Sequence, residues 1–344
     1  MKITAQAATT LATRLLEQRN ALPGHAFLQA NVLVEAELKG HPSHGLQRLP
    51  RLLRRIERGL IDPRTEGTSR WRSEAVLEVD GGTGLGPVVA MAALGRLLDR
   101  VAATGIALAA IRNNNHLGML AYYVEQAAAA GKIAIAMSSS EALVHPHGGT
   151  RAMLGTNPIA VAVPTADRPL VLDLATSIVS MGKIHHHAAL GLPLAEGWAR
   201  DEAGQPTTDA ARAKRGAIAP FGDAKGYGLG IAVELLVAAL TGAALAPDVR
   251  GTLDAESLCN KGDVLIVAEP AAAPGLAQRL SAYLDLIRAS PPADPAVPVA
   301  VPGDGAARRR AKSLEDGIAV EPGLWAELNA LSLTNSFASE GTMS

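Results

Sequence analysis

The chain has 344 residues, of which 48% are hydrophobic and 19% charged, with a formal net charge of −1 at pH 7. That length supplies one large domain or two to three moderate ones with an ample core, and the balanced charge excludes the basic excess that nucleic acid or an anionic membrane would require. A single cysteine, Cys259, excludes an intrachain disulfide and suits a reducing compartment.

The predicted elements begin with helices. "MKITAQAATTLATRLLEQRN" alternates apolar and polar residues at helical spacing and has no continuous signal-peptide core. "LATRLLEQ", "HAFLQANVLVEAELKG" and "LPRLLRRIERG" read as three helices, the last with Pro50 at its start. From about Trp71 the pattern changes to short apolar strands: "EAVLEVDGG", "GIALAAI", "KIAIAMSS", "PIAVAVPT", "PLVLDLAT" and, much later, "DVLIVAEP". A helix, "PVVAMAALGRLLDRVAATG", separates the first two and stops at a glycine. Several strands follow one another with only brief polar connections, which predicts a mixed or antiparallel sheet rather than strict βαβ alternation. "ASPPADPAVPVAVPG" has five prolines in fifteen residues and reads as an extended connection. "ARRRAK" reads as a solvated helix face and "GLWAELNALSL" as a final helix. The expected organisation is a helical domain over residues 1–70, completed by 286–344, and a catalytic domain over 71–285. No apolar run approaches a membrane span, and no disordered tract is expected before the last few residues. An α+β protein of the cytoplasm, with no membrane or nucleic-acid partner, is expected.

"GGTGLGPVVA", Gly81 to Ala90, lies between a strand and a helix, as a dinucleotide-binding fingerprint does. The spacing fails. Glycines are needed at offsets 0, 2 and 5. From Gly82 the third position is Pro87, and from Gly84 it is Val89, too large for close helix–strand contact. This is a Gly-rich turn, and a doubly wound nucleotide fold is disfavoured.

"IRNNNHLG", Ile111 to Gly118, sets three asparagines and a histidine at a strand-to-helix junction. Capping and turn geometry are one reading of the run; one helix cap uses one asparagine, and the excess makes a site the other reading. His116 at a helix start has its pKa lowered by the dipole and suits acid–base work, with the asparagines orienting it or meeting substrate and cofactor amides. "HPSHGLQR" puts Ser43 beside His44 and Arg48 four residues on; in one helical turn His44 and Arg48 share a face. Such a pair suits a 2-oxo or 2-hydroxy acid, the arginine gripping the carboxylate and the histidine handling the proton. The structural alternative is Ser43 as a cap with surface His44 and Arg48. Thr156, in "GTNP", enters an apolar strand; Asp173, Thr176 and Ser177 end another and suit ribose binding or capping. Lys225 stands among glycines at a helix entrance, where it approaches phosphates or is simply surface. His185 to His187 lack ligand spacing, and no metal is expected.

Together these segments resemble the malate/L-lactate dehydrogenase family that is unrelated to the Rossmann lactate and malate dehydrogenases. The matching strings are "ELKGHPSHGLQRLP", "NNNHLGMLAYY", "MLGTNPIAVAVP", "LDLATSIVSMGKI", "GWARDEAGQPTTD", "PFGDAKGYGLGIAVELL" and "VPGDGAARRR", collinear over about residues 35–312. "VRGTLDAESLCNKGDVLIVAEP" and "HLGMLAYY" look most like the sulfolactate dehydrogenase branch. The resemblance implies a homodimeric oxidoreductase using NAD or NADP, with a largely antiparallel mixed sheet forming a non-Rossmann cofactor domain. It implies His44, with Ser43, as proton donor in some relatives and His116 in others. Arg48 then holds the substrate carboxylate and Thr156 lines the substrate site. Implied cofactor contacts are Ser140, Asp173, Leu174, Ala175, Thr176, Lys225, Pro302, Gly303 and Asp304. Relatives usually have Glu at 304, so Asp304 keeps the charge with a shorter reach. Members that reduce cyclic imino acids tend to be acidic where this chain has Lys183, which favours a hydroxy acid.

The implied reaction is hydride transfer between nicotinamide and C2 of a small 2-hydroxy acid of the malate, lactate or sulfolactate type. The alternatives are NADPH-dependent reduction of a cyclic imino acid such as piperideine-2-carboxylate, and a non-catalytic ligand-binding protein. The last has no need of both histidines and the arginine.

Overall fold

The computed structural model describes residues 1–334; the chain's end, where disorder was expected, lies outside the described residues. Strand β1 (Lys2–Ile3) leads into helix α1 (Ala5–Glu17), whose first turn is capped by the Thr4 hydroxyl accepting from the Ala7 amide. Helix α2 (Pro23–Leu38) has proline at its first position, and α3 (Leu49–Glu57) follows two 3-10 turns, Pro42–His44 and Leu46–Arg48. Next come β2 (Thr68–Trp71), β3 (Val76–Asp80), α4 (Gly86–Thr104), β4 (Ile106–Arg112) and α5 (Ala121–Ala129). Strands β5 (Ile133–Ser138), β6 (Ile159–Val163) and β7 (Leu170–Leu174) follow. A small lobe holds α6 (Met181–Leu190), β8 (Ala199–Arg200), β9 (Pro206–Thr207), α7 (Ala210–Ala213) and β10 (Ala217–Ile218). The chain continues through α8 (Ala224–Thr241), β11 (Asp263–Ala268), α9 (Leu276–Arg288), α10 (Asp304–Asp316), β12 (Ile318–Ala319) and α11 (Pro322–Thr334).

The main sheet has seven strands in the order β2-β3-β4-β11-β5-β6-β7. Only β3 and β4 run parallel, joined through α4; every other pair is antiparallel, as the brief polar connections predicted. The strand residues explain the layering. Ala107, Ala109, Ala134, Ala136, Ala160 and Ala162 point to one face, where their small side chains let α4 and α5 approach closely. Leu108, Ile135, Met137, Ile159, Val264 and Ile266 point to the other, against Val233 and Val237 of α8. Leu15 and Leu16 of α1, Leu33 of α2, Leu53 of α3 and Leu328 of α11 share a separate core, and β1 pairs with β12 to bring the two ends of the chain together.

Helix α8 departs from the expectation that no apolar run reaches membrane-span length. It is long and apolar enough by composition, with a third of that stretch buried in the fold. Its inner face packs on the sheet, and its outer face presents Leu235 and Leu236, both more than half exposed.

Candidate active site

A cleft of about 560 Å³ opens between the helical core and the sheet, and Ser43, His44, Arg48, His116, Ser140 and Thr156 all line it. His44 and Arg48 come from consecutive 3-10 turns rather than one α-helical turn. Gly45 separates the turns, and a Cβ there would lie 2.3 Å from Oε1 of Glu37, which accepts the Leu46 amide at 2.8 Å. Burial lifts the Glu37 carboxyl to about 7 despite that hydrogen bond.

His116 does not start a helix: α5 begins at Ala121, and His116 lies in the preceding loop. The asparagines before it are stitches. Asn113 Nδ2 donates to both Asp80 carboxylate oxygens, and Asn114 Nδ2 donates to Asp263 Oδ2 at 3.2 Å. Asn115 Nδ2 donates to the Thr83 and Gly84 carbonyls, while its Oδ1 accepts from Arg55 Nη2. None of the three lines the large cleft; they fix the loop that presents His116. The Gly-rich turn belongs to the same packing, since a Cβ on Gly86 would lie 2.2 Å from the His116 carbonyl oxygen. Its glycines serve backbone approach.

The rings of His44 and His116 stack, with centroids 5.5 Å apart and planes inclined by 30°. Ser43 Oγ and His44 Nδ1 share a hydrogen bond of 3.1 Å. His116 Nδ1 accepts the Gly118 amide at 3.0 Å, so the neutral ring carries its proton on Nε2. Arg48 Nε donates to the Ser43 carbonyl at 2.9 Å and Nη1 to the Thr252 carbonyl at 3.2 Å, while Nη2 has no partner among the described residues. Burial, and after it the Arg48 cation, pushes His44 down to about 3. Burial, then Arg48 and His44, also depresses His116, so the expected direction holds without a helix dipole. Burial lowers Arg48 to about 10, which keeps it charged at neutral pH.

Thr156 is held from three sides. Its amide donates to Ser140 Oγ at 2.9 Å, and its carbonyl accepts from Thr176 Oγ1 at 2.9 Å. From α8, Glu234 Oε2 accepts the Gly155 amide and Asn157 Nδ2. Sequence reasoning missed two further cleft residues, Arg51 and Lys261. Lys261 is buried and its ammonium pairs with Asp263, which also accepts from Ser138 Oγ at 2.6 Å. The available signal was a lysine and an aspartate flanking Gly262 at the mouth of an apolar strand.

The other expected contacts lie away from this cleft. Gly303 and Asp304 line a second cavity of about 370 Å³, with Tyr122 and Val171. Asp173 sits at the start of α5, where Oδ2 accepts the Ala121 amide at 2.8 Å, and burial raises its carboxyl to about 6. Leu120 on one side of that contact lines the cleft, and Tyr122 on the other lines the second cavity. Leu174 and Ala175 are partly exposed at the end of β7, and Thr176 is buried behind Thr156. The Asp304 carboxylate accepts from Arg288 Nε and Nη2, both at 2.9 Å, and from Arg168 at 3.3 Å. Pro302 gives its carbonyl to the Val171 amide. Lys225 is exposed at the start of α8 and lines neither cavity. His185 lines the cleft while His187 turns to the Pro193 carbonyl, and Lys183 Nζ lies 4.6 Å from the Trp198 ring centroid. Among the described residues no group of three His, Cys, Asp or Glu side chains is placed to hold a metal.

A family model described as malate/L-lactate dehydrogenase matches residues 3–329. The chain is 36% identical over 309 residues to the L-sulfolactate dehydrogenase of Methanocaldococcus jannaschii, covering 89% of each protein. It is 38% identical over 233 residues to a Delta(1)-pyrroline-2-carboxylate reductase of Pseudomonas fluorescens, covering 67% of this chain and 69% of that protein. The crystal structure of a dehydrogenase from Sinorhizobium meliloti shares the fold at a TM-score of 0.94 and 56% identity, covering 96% of this chain and 98% of that one. With the match running almost end to end and the α+β fold shared, the chain belongs to the malate/L-lactate dehydrogenase family and is an oxidoreductase.

Proposed function

We propose that the cleft transfers a hydride between a nicotinamide dinucleotide and C2 of a small 2-hydroxy or 2-oxo acid. The observation that carries this reading is the convergence of two stacked imidazoles on a guanidinium with a free Nη2. Arg48 grips the substrate carboxylate through its free N–H groups in a charge-assisted contact. The C2 oxygen, next to that carboxylate, then lies within reach of the imidazoles. His44 exchanges the hydroxyl proton while Ser43 fixes its Nδ1 side, and His116 orients the substrate through Nε2–H. The carboxylate offsets the Arg48 cation, so binding raises the His44 pKa toward the range where it can hold a proton. The bound cofactor supplies or accepts the hydride.

The residues present fit such a cofactor. The cleft offers the Ser140 and Thr156 hydroxyls, and the second cavity offers the Gly303 backbone. The Asp304 carboxylate is occupied by Arg288 and Arg168, so at that end the backbone makes the contact. We further infer a cytoplasmic homodimer, on the buried lone thiol of Cys259 and the outward apolar face of α8; sedimentation velocity at micromolar concentration tests the dimer.

The decisive assay is NADH and NADPH oxidation with pyruvate, oxaloacetate, sulfopyruvate and piperideine-2-carboxylate. Turnover of the oxo acids is expected. Turnover of the cyclic imine alone replaces this reading with imine reduction, which the pyrroline-carboxylate reductase relative keeps in view and which Lys183, turned to Trp198, does not favour. Absence of cofactor binding refutes both.

A further inference from the structure

We infer that Glu141 is a positioning residue that fixes the Arg48 guanidinium through the loop 251–257; this rests on the reading of the cleft given above. Glu141 lies three residues beyond β5 and does not line the cleft, whereas Thr252 and Leu253 do. Its Oε1 accepts both their amides, at 2.7 and 3.0 Å, across 111 and 112 positions of chain. Thr252 is buried and passes the tie on, since its carbonyl accepts from Arg48 Nη1 at 3.2 Å. Arg48 Nε is already held by the Ser43 carbonyl. With two edges of a rigid planar fork fixed, the direction of Nη2 is set, and Nη2 is the group left for the substrate carboxylate.

The loop is stiff enough to transmit such a tie. Asp254 Oδ1 accepts the Glu256 and Ser257 amides, both at 2.7 Å, and its Oδ2 accepts the Gly251 amide at 3.1 Å. A Cβ on Gly251 would lie 2.7 Å from the Cys259 nitrogen, so the loop closes tightly on its own base. On the helical side Arg55 Nη1 donates to the Asp254 and Ser257 carbonyls, and Arg58 Nη1 to the Ala255 carbonyl. Arg55 Nη2 also reaches Asn115, the residue before His116. Glu141 holds the loop from the sheet side. Its charge matters as well as its reach: the carboxylate favours the Arg48 and Arg55 cations, against burial and against Arg51. One side chain outside the cleft thus supports both the aim and the charge of the substrate clamp.

The test uses full-length wild type, Glu141→Gln, Glu141→Ala, Arg48→Lys and the double variant Arg48→Lys/Glu141→Ala. Each is assayed at saturating cofactor with oxaloacetate, sulfopyruvate and pyruvate, and cofactor Kd is measured by fluorescence titration. In Glu141→Ala, KM for the acids is expected to rise by about 10- to 100-fold with a smaller change in kcat, while cofactor Kd stays level. Hydrogen exchange at the Thr252 and Leu253 amides should quicken in the same variant, a readout that needs no substrate. Glutamine keeps an acceptor oxygen and loses the charge, so Glu141→Gln should fall between, at about 3- to 10-fold in KM. Removing Glu141 from Arg48→Lys should cost less than removing it from wild type, because the fork it aims is already gone. An unchanged KM, or effects that simply multiply in the double variant, overturns the assignment and leaves oxo-acid reduction intact. A cofactor Kd weakened as much as KM is raised gives Glu141 to its neighbour Ser140 and also overturns it. If Glu141→Ala does not fold, KM in Glu141→Gln decides alone. If wild type binds cofactor yet turns over no 2-oxo acid, the hydroxy-acid reading itself fails and the role of Glu141 falls with it.

Discussion

The imidazoles of His44 and His116 lie face to face, 5.5 Å between centroids, with the Arg48 cation close enough to depress both. Two positive rings at that separation repel by about 3 kcal/mol even at an effective dielectric constant of about 20. The stack therefore holds at most one proton in the working range, and one ring must be the donor. His44, with its Nδ1 against Ser43, is the assignment adopted here. His44→Ala is expected to lower kcat for carbonyl reduction by about 10²- to 10⁴-fold and to remove the limb on which the rate falls with rising pH. His116→Ala weakens the reaction and keeps that limb. If the limb disappears with His116 instead, the two roles are exchanged.

The depressed histidines make a second, separate expectation about pH. Reduction needs a protonated donor, so its rate falls as pH rises through the donor's pKa. In the free enzyme that pKa is held low by burial and by Arg48. A bound carboxylate offsets the cation and shifts it upward. The limb in kcat, which reports the complex, is expected at higher pH than the limb in kcat/KM, which reports the free enzyme. Coincident limbs would remove the charge-compensation argument.

Arg48 is more than a clamp, because its Nε and Nη1 hold the Ser43 and Thr252 carbonyls. Lysine lacks the planar fork and cannot replace these contacts together with a substrate bond. Arg48→Lys is expected to lose about 2–4 kcal/mol of transition-state stabilisation, roughly 30- to 1,000-fold in kcat/KM, with cofactor affinity little changed. Steady-state kinetics beside a cofactor titration checks it, and an unaltered kcat/KM sinks the assignment.

Glu37 supplies a stability test. Its pKa rises from 4.5 to about 7 in the folded protein because burial disfavours the carboxylate. Between those values the native state binds more protons than the unfolded chain, so stability falls as pH rises and the loss is complete above about 7. The shift corresponds to at most about 3 kcal/mol. Glutamine keeps an acceptor for the Leu46 amide and never ionises. Glu37→Gln should therefore gain on wild type as pH is raised from 4.5 to 8 in urea unfolding; a gap that does not change with pH contradicts this.

Lys261 and Asp263 are a buried pair whose members cannot be removed singly without cost. Asp263→Ala leaves an ammonium without its carboxylate and is expected to destabilise by about 3–5 kcal/mol. Pairing it with Lys261→Met should recover part of that loss. A double variant as unstable as the single one argues that the Ser138 and Asn114 contacts, not the charge, dominate.

Local pattern carried much of this protein into view. The alternation in "IAIAM" and "IAVAV" marks strands with a small face and a branched face, and the sheet uses both. The paired two-residue strands β8, β9 and β10 are too short to show any period and were not read. Ser43, His44, Arg48 and His116 stood out because short turns seldom need so many polar groups. Arg51 and Lys261 did not, since what distinguishes them is tertiary: among the described residues one cation has no partner and the other has its partner across Gly262. Asn113 to Asn115 were assigned in part to ligands, yet their partners are strand ends and backbone carbonyls far apart in sequence. Helix α8 is apolar on both its packed and its open face, so its sequence has no polar side to mark where the sheet lies.

Strand β11 bears on how the molecule is made. It bonds to β4 on one side and β5 on the other, and Asp263 meets Ser138 across 125 positions of chain. The centre of the sheet is thus synthesised long after its neighbours. A nascent chain stopped short of β11 has β4 and β5 each lacking a partner on the side they later share, while the alanine face beneath α4 and α5 is only partly assembled. Open strand edges of this kind recruit other strands. Late, long-range closure also makes folding slow. Completion of the sheet therefore waits on residues 263–268, and the interval before they emerge is when the nascent chain is expected to be most prone to wrong strand pairing.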